Sequence, residues 1–206
     1  KTEFCKTVIR SRAAMSYEQA QTILDDTSRK DQTAKELRIL LDVARILKQR
    51  RVQAGSLTLA SPQVKFDLDS ESMTPMDVEM YQMREANSLV EEFMLFANIS
   101  VAEKIYDSFP SFACLRRHPS PVPWKLEALN KSLSTISLKL ESDSSKALAN
   151  SLDKAKVKDD PLLNTLIRIL TTRCMEQAIY FSSSQVPREQ FHHYGLAVPI
   201  YTHFTS

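Results

Sequence analysis

The chain has 206 residues, of which 43% are hydrophobic and 25% charged, with a formal net charge of +2. Those are ordinary values for a globular protein with enough material for a sizeable core. A charge this small gives no bulk argument for nucleic-acid binding. Any basic surface has to come from local clusters such as Lys48-Gln-Arg50-Arg51 or Arg116-Arg117-His118, each of which reads more simply as a solvated face.

The apolar runs are far too short to span a bilayer, and no signal-peptide pattern opens the chain. Cys5, Cys114 and Cys174 are isolated and odd in number, which argues against a disulfide framework and for a reducing compartment. Gly55 and Gly195 are the only glycines, so each is expected to serve a backbone need, either a positive φ or a close approach. The chain opens on Lys1 and stops in mid-phrase on Tyr201-Thr-His-Phe-Thr-Ser206, and it reads as an excerpt of a longer polypeptide.

In chain order, Ser16-Tyr-Glu-Gln19 is a capping box opening a short helix through Leu24. A longer helix is predicted over Gln32–Gln53 from apolar residues at Leu37, Leu40, Leu41, Ala44 and Leu47, with Gly55 as its stop. Period-2 alternation then predicts strands at Leu57 and Leu59, at Val64, Phe66 and Leu68, and at Val78 and Met80. The longest helix is predicted over Arg84–Phe109, with an apolar stripe at Leu89, Val90, Phe93, Met94, Ala97, Val101 and Ile105 and Pro110 behind it. After the stiff Pro119–Pro123 connector come modest helices near Trp124–Leu133 and Ser145–Ala155. A further helix should start at Asp160-Pro161 and run to about Phe181; Ser182–Gln190 should be loop, and the tail from Tyr194 extended.

Two-metal phosphodiester hydrolysis needs several carboxylates converging on ions about 4 Å apart. The nearest local pattern is Asp67 and Asp69, which share one face of a strand and read more simply as solvated. Zinc needs close Cys and His pairs; none exists, and His192-His193 is a poor chelate. Nucleophile elbows and glycine-rich phosphate loops are absent. Glu91 falls close to the apolar stripe of the long helix, where a carboxylate is costly unless paired or functional; a salt bridge at the helix edge is its simplest role.

Several stretches taken together resemble the RNase II/RNase R (RNB) family of 3′-to-5′ exoribonucleases: Asn87–Asn98, Leu115–Pro119, Arg173-Cys-Met175 with Tyr180-Phe181, and above all His193–Ser206. The likeness extends through Arg12–Gln21 and Gly55–Phe66, and so covers essentially the whole chain. It implies an α+β fold with helices packed on a mostly antiparallel sheet. Residues 1–206 would be the central portion of one RNB catalytic domain, truncated at both ends. The implied activity is metal-dependent removal of 3′ nucleotides from single-stranded RNA, in RNA processing, rRNA processing included, and in decay. The implied partners are that RNA and the exosome core subunits, in the nucleus and cytoplasm. Magnesium would be held by aspartates outside this chain, which itself would supply no catalytic residue and no metal ligand.

By the same resemblance Tyr17 orients the last nucleotides of the substrate and Glu91 lies near the ribose of that segment. Leu59 stands where bacterial members carry a stacking phenylalanine, and leucine offers contact but no π face. His118 and His203 read as structural histidines. The alternatives are an RNB-fold RNA-binding protein without hydrolysis, and a protein-interaction scaffold.

Overall fold

In a computed structural model of the chain, residues 2–59, 83–156, 160 and 162–205 are described, together with the backbone of two strands at 64–68 and 75–80. Helix α1 (Tyr17–Asp25) begins on the expected capping box: Ser16 Oγ accepts from Gln19 N–H, and the Gln19 side chain accepts from Ser16 N–H. Its last carbonyls are taken up by Arg38, which donates to Ile23 and Asp26 oxygens. Helix α2 (Gln32–Ala54) is capped by Asp31 and stopped by Gly55 in the left-handed conformation. Strands β1 (Val64–Leu68) and β2 (Pro75–Met80) pair antiparallel. The side chains of Asp67 and Asp69 lie outside the described residues.

Helix α3 (Glu85–Ser108) is the beam of the molecule. Against its first half, α1 and α2 pack around Leu24, Leu41, Ala44, Ala86 and Leu89. Against its second half sits an antiparallel ribbon of β3 (Cys114–Arg117) and β4 (Ile179–Ser182), with a core of Ala102, Ala113, Leu115, Phe181, Phe191 and Ile200. Helices α4 (Pro123–Leu133), α5 (Ser145–Lys154) and α6 (Leu163–Arg173) build a third core from Leu126, Leu133, Leu148, Leu152 and Ile167, joined by Leu57 and Tyr194. The chain is α+β with antiparallel pairing, as expected, but among the described residues the strands form two separate two-stranded ribbons.

Four expectations change. Leu57 and Leu59 are not in a strand: Leu57 N–H is bound to Gly195 O at 2.9 Å and Thr58 O to Arg168 at 2.6 Å, so the segment's polar groups are satisfied without a ladder. The buried face of α3 is Ala86, Leu89, Glu92, Leu95, Asn98, Ser100 and Ala102, while Val90 is exposed, because its two halves meet different neighbours. Helix α6 ends at Arg173 rather than near Phe181, because Ile179-Tyr-Phe-Ser182 pairs with β3 instead. Asp160 does bind the first amides of that helix, accepting from Leu162 and Leu163. The tail opens on a 3-10 turn at Tyr194–Leu196, and Ala197 takes φ 54° before the chain extends.

Both glycines are constrained, in different ways. Gly195 has no positive φ; what it needs is room, since a Cβ there would stand 3.1 Å from His118 Nδ1. Gly55 combines φ 99° with an approach in which a Cβ would come within 2.6 Å of the Lys146 backbone. Left-handed strain on a non-glycine costs of order 1–3 kcal/mol before any clash is counted. Gly55→Ala should therefore lower the unfolding free energy by at least about 2 kcal/mol, as read from urea denaturation midpoints at unchanged m-value.

Candidate functional site

Tyr17 is the first residue of α1 and its ring is exposed. Its helix is fixed to the start of α3 by two side chains. Gln21 Oε1 accepts from Ala86 N–H at 3.0 Å, and Glu18 pairs with Arg84 at 3.5 Å. Glu91 lies one and a half turns further along α3, its side chain 36% exposed and 3.7 Å from Arg51 of α2. The fold thus ties together the helices that carry these two residues. Leu59 is placed elsewhere: it is half-buried against the α4–α6 core, so part of its surface is spent on packing.

The residue that sequence reasoning missed is Glu92. It is 3% exposed, and Arg51 grips it with two groups, Nη2 at 2.5 Å from Oε1 and Nε at 3.3 Å from Oε2. The available signal was spacing: Leu89, Glu92 and Leu95 repeat every three residues on one helical face, whereas Glu91 is turned away by about 100°. Arg51 therefore neutralises Glu92 and still reaches Glu91, holding that carboxylate at the edge of the α2–α3 contact. Of the basic cluster on α2, Arg51 is spent in this way and Lys48 donates to Ser88 Oγ at 2.9 Å. A cavity of roughly 170 Å³ between the two helices is lined by Arg45, Lys48, Glu85 and Ser88, with Arg45 already paired to Glu85.

A second polar centre holds the tail. Asn98, 0% exposed, donates to Tyr201 Oη at 3.1 Å and Thr205 Oγ1 at 3.0 Å, and accepts from Phe204 N–H at 3.3 Å. Tyr201 Oη in turn donates to His203 Nδ1 at 2.8 Å. His203 is therefore part of the anchor for the extended segment.

The rings of His118 and His193 lie 5.0 Å apart, tilted by 50°, where β3 meets the tail. His118 Nδ1 accepts from Gly195 N–H and its Nε2 donates to Glu176 O; His193 Nδ1 accepts from Leu196 N–H. Each ring nitrogen that accepts an amide must be unprotonated, and burial acts the same way. Desolvation holds His118 below its usual value against the opposing hydrogen bond to Glu176 O, and desolvation with the neighbouring positive charges pushes His193 down to about 3. His118 is a structural histidine, as expected, and His193 beside it is another. The cysteines are free thiols: Cys5 and Cys114 are exposed, and buried Cys174 has its pKa raised by desolvation.

Among the described residues no group of three or more His, Cys, Asp or Glu side chains is placed to hold a metal ion, and no helix is long and apolar enough to cross a membrane.

Comparison with known proteins adds the following. The family profile described as the RNB domain matches residues 1–206. The chain is 53% identical over 205 residues to the exosome complex exonuclease RRP44 homolog A of Arabidopsis thaliana, covering all of this chain and 22% of that protein. It is 51% identical over 207 residues to the exosome complex exonuclease dis3 of Schizosaccharomyces pombe, of which it covers 21%. Thus it spans about a fifth of the length of these relatives. Among solved structures, Mycoplasma genitalium RNase R in complex with ribose methylated single-stranded RNA has the same fold, with a TM-score of 0.77 at 23% identity, covering 92% of this chain and 29% of that one. Yeast Ssd1, described as a pseudonuclease, gives 0.68 at 26% identity over 93% of this chain and 23% of that one.

Two expected outcomes follow from the geometry. Breaking a buried ion pair from one side costs about 3–5 kcal/mol, while replacing both partners with apolar groups is close to neutral. Arg51→Met should accordingly destabilise the fold by about that amount, and adding Glu92→Leu should recover most of the loss in urea denaturation. The second concerns pH. Folded-state pKa values below the unfolded value of about 6.5 mean that only the unfolded chain binds protons as pH falls through 6.5. Stability should be flat above pH 7 and should fall from about pH 6.5 downward, by up to about 1.4 kcal/mol per unit for each histidine. Asp26, Asp31 and Glu36, whose pKa values are lowered by hydrogen bonds, lose their contribution only below their own range, so denaturation between pH 5 and 7.5 isolates the histidines.

Proposed function

The chain belongs to the RNB-domain family, and from that premise we propose that the protein containing it is an exoribonuclease removing nucleotides from the 3′ end of single-stranded RNA by phosphodiester hydrolysis. The observation that carries the reading is the family match over residues 1–206, together with about 50% identity to relatives named as exosome exonucleases. Those names also support exosome core subunits as partners; the setting in this proposal is RNA processing and decay in the nucleus and cytoplasm. Magnesium belongs to this reading as an ion held by residues outside this chain. Among the described residues no group of carboxylate, histidine or cysteine side chains fits it.

What this chain contributes is the hold on the substrate. A half-exposed carboxylate fixed in place by Arg51 can accept a hydrogen bond from a ribose 2′-hydroxyl, which deoxyribose lacks. An exposed tyrosine on a helix locked to the same beam can orient the terminal nucleotides. Leu59, already committed to packing, supplies at most apolar contact. Contacts of this kind, to sugar and phosphate, make degradation blind to sequence.

A second reading, an RNA-binding protein that keeps the fold without hydrolysis, is favoured by the likeness to yeast Ssd1. Magnesium-dependent release of mononucleotides from single-stranded RNA by the full-length protein decides between them, and steady release is the expected result. For Glu91, a hydrogen bond to a charged group contributes roughly 1.5–3 kcal/mol, equivalent to about 10- to 100-fold in rate. Glu91→Ala should slow degradation of RNA by that factor and leave a substrate with one deoxyribose at the contacted position almost unchanged. Equal slowing of both substrates would make Glu91 purely structural.

A further inference from the structure

Three arginines in the helical parts of this chain sit on carboxylates: Arg45 on Glu85, Arg51 on Glu92, Arg168 on Asp153. Arg116 in β3 does not. Among the described residues it has no acidic partner, its Nε is buried without a hydrogen bond, and its guanidinium lies 5.5 Å above the Tyr180 ring. Tyr180 is the residue directly opposite Arg116 across the ribbon, so the two share one face. The ring is 53% exposed yet fixed, because its hydroxyl donates to His203 O at 2.7 Å. That carbonyl belongs to the tail segment anchored by Asn98. Exposed aromatic rings are seldom held at both ends in this way.

Resting on the RNA reading above, we propose that this face is a further contact for single-stranded RNA, in which Arg116 binds a backbone phosphate and Tyr180 stacks one base. A guanidinium lying on a ring keeps its N–H edge free for phosphate oxygens, and among the described residues no carboxylate pairs with it. Two of its ionisable neighbours are the buried histidines His118 and His193, whose pKa values Arg116 itself helps to lower. A ring already immobilised loses little entropy when a base stacks on it, and stacking tolerates any base. An acidic peptide would satisfy the arginine but would leave the exposed ring without a role, so a nucleotide matches the pair better.

The test uses the full-length protein with divalent metal chelated, so that RNA is bound and not consumed. Affinity for a fluorescein-labelled single-stranded oligoadenylate is measured by anisotropy over a range of salt. Arg116→Gln should weaken binding about tenfold and reduce the salt slope by roughly 0.7, the value for one phosphate on a single strand. Tyr180→Ala should weaken binding roughly tenfold, within the range for one stacked base, whereas Tyr180→Phe should stay within about twofold. Unchanged affinity and slope in the first two variants would overturn the proposal while leaving the RNA reading intact; failure of the wild-type protein to bind RNA would overturn both. A readout that needs no substitution is photo-crosslinking of thiouridine-substituted RNA to the wild-type protein. An adduct on the peptide bearing Tyr180 is expected, and adducts confined to other peptides would sink the assignment.

Discussion

Helix α3 has to satisfy two unlike neighbours along one continuous rod, and most of the arrangement follows from how it does so. Its first half faces α1 and α2, and its second half faces the β3–β4 ribbon and the tail. A helix has one backbone but can rotate different residues towards different partners, and here it meets each with a buried polar side chain. Glu92 is drawn to Arg51, and Asn98 to the hydroxyls and amide of the tail. Buried polar groups left unpaired are expensive, so each is tolerated only in the one docking geometry that pairs it. These two residues fix positions where an apolar face alone would allow sliding.

That arrangement also sets the position of Glu91. Arg51 meets two acids from one position, one buried and one at the rim. The buried acid gives Arg51 a reason to stay, and the rim acid inherits a fixed neighbour. Tyr17 gains its placement less directly, through the seating of α1 on the first turn of α3.

The ends of α1 and α2 were legible in the sequence because caps are local chemistry. Ser16 with Gln19, Asp31 and Gly55 each act through residues within one turn. The face of α3 was not legible. An apolar periodicity assumes a single neighbour, and it therefore favoured Val90 and passed over Glu92 and Asn98. Strands β3 and β4 are four residues each, with two arginines in one of them, too short to show alternation, and β4 was absorbed into the preceding helix. The fold family was readable from motif order, whereas the Arg116–Tyr180 pairing depends on register between segments more than sixty residues apart.

The tail lies along the edge of β3 that β4 leaves open, with Arg116 N–H bound to Tyr201 O and Thr202 Oγ1 bound to Cys114 O. Its other anchor, Asn98, is 103 positions from Tyr201 in sequence. On a ribosome the amide of Asn98 is made long before the groups that complete it, at synthesis rates that imply a gap of roughly 5–20 s. Throughout that interval α3 carries an unpaired polar group, and the β3 edge stays open to any strand that reaches it first. The nascent polypeptide is thus most exposed to mispairing just before its own tail arrives, the point at which a chaperone's protection would matter most.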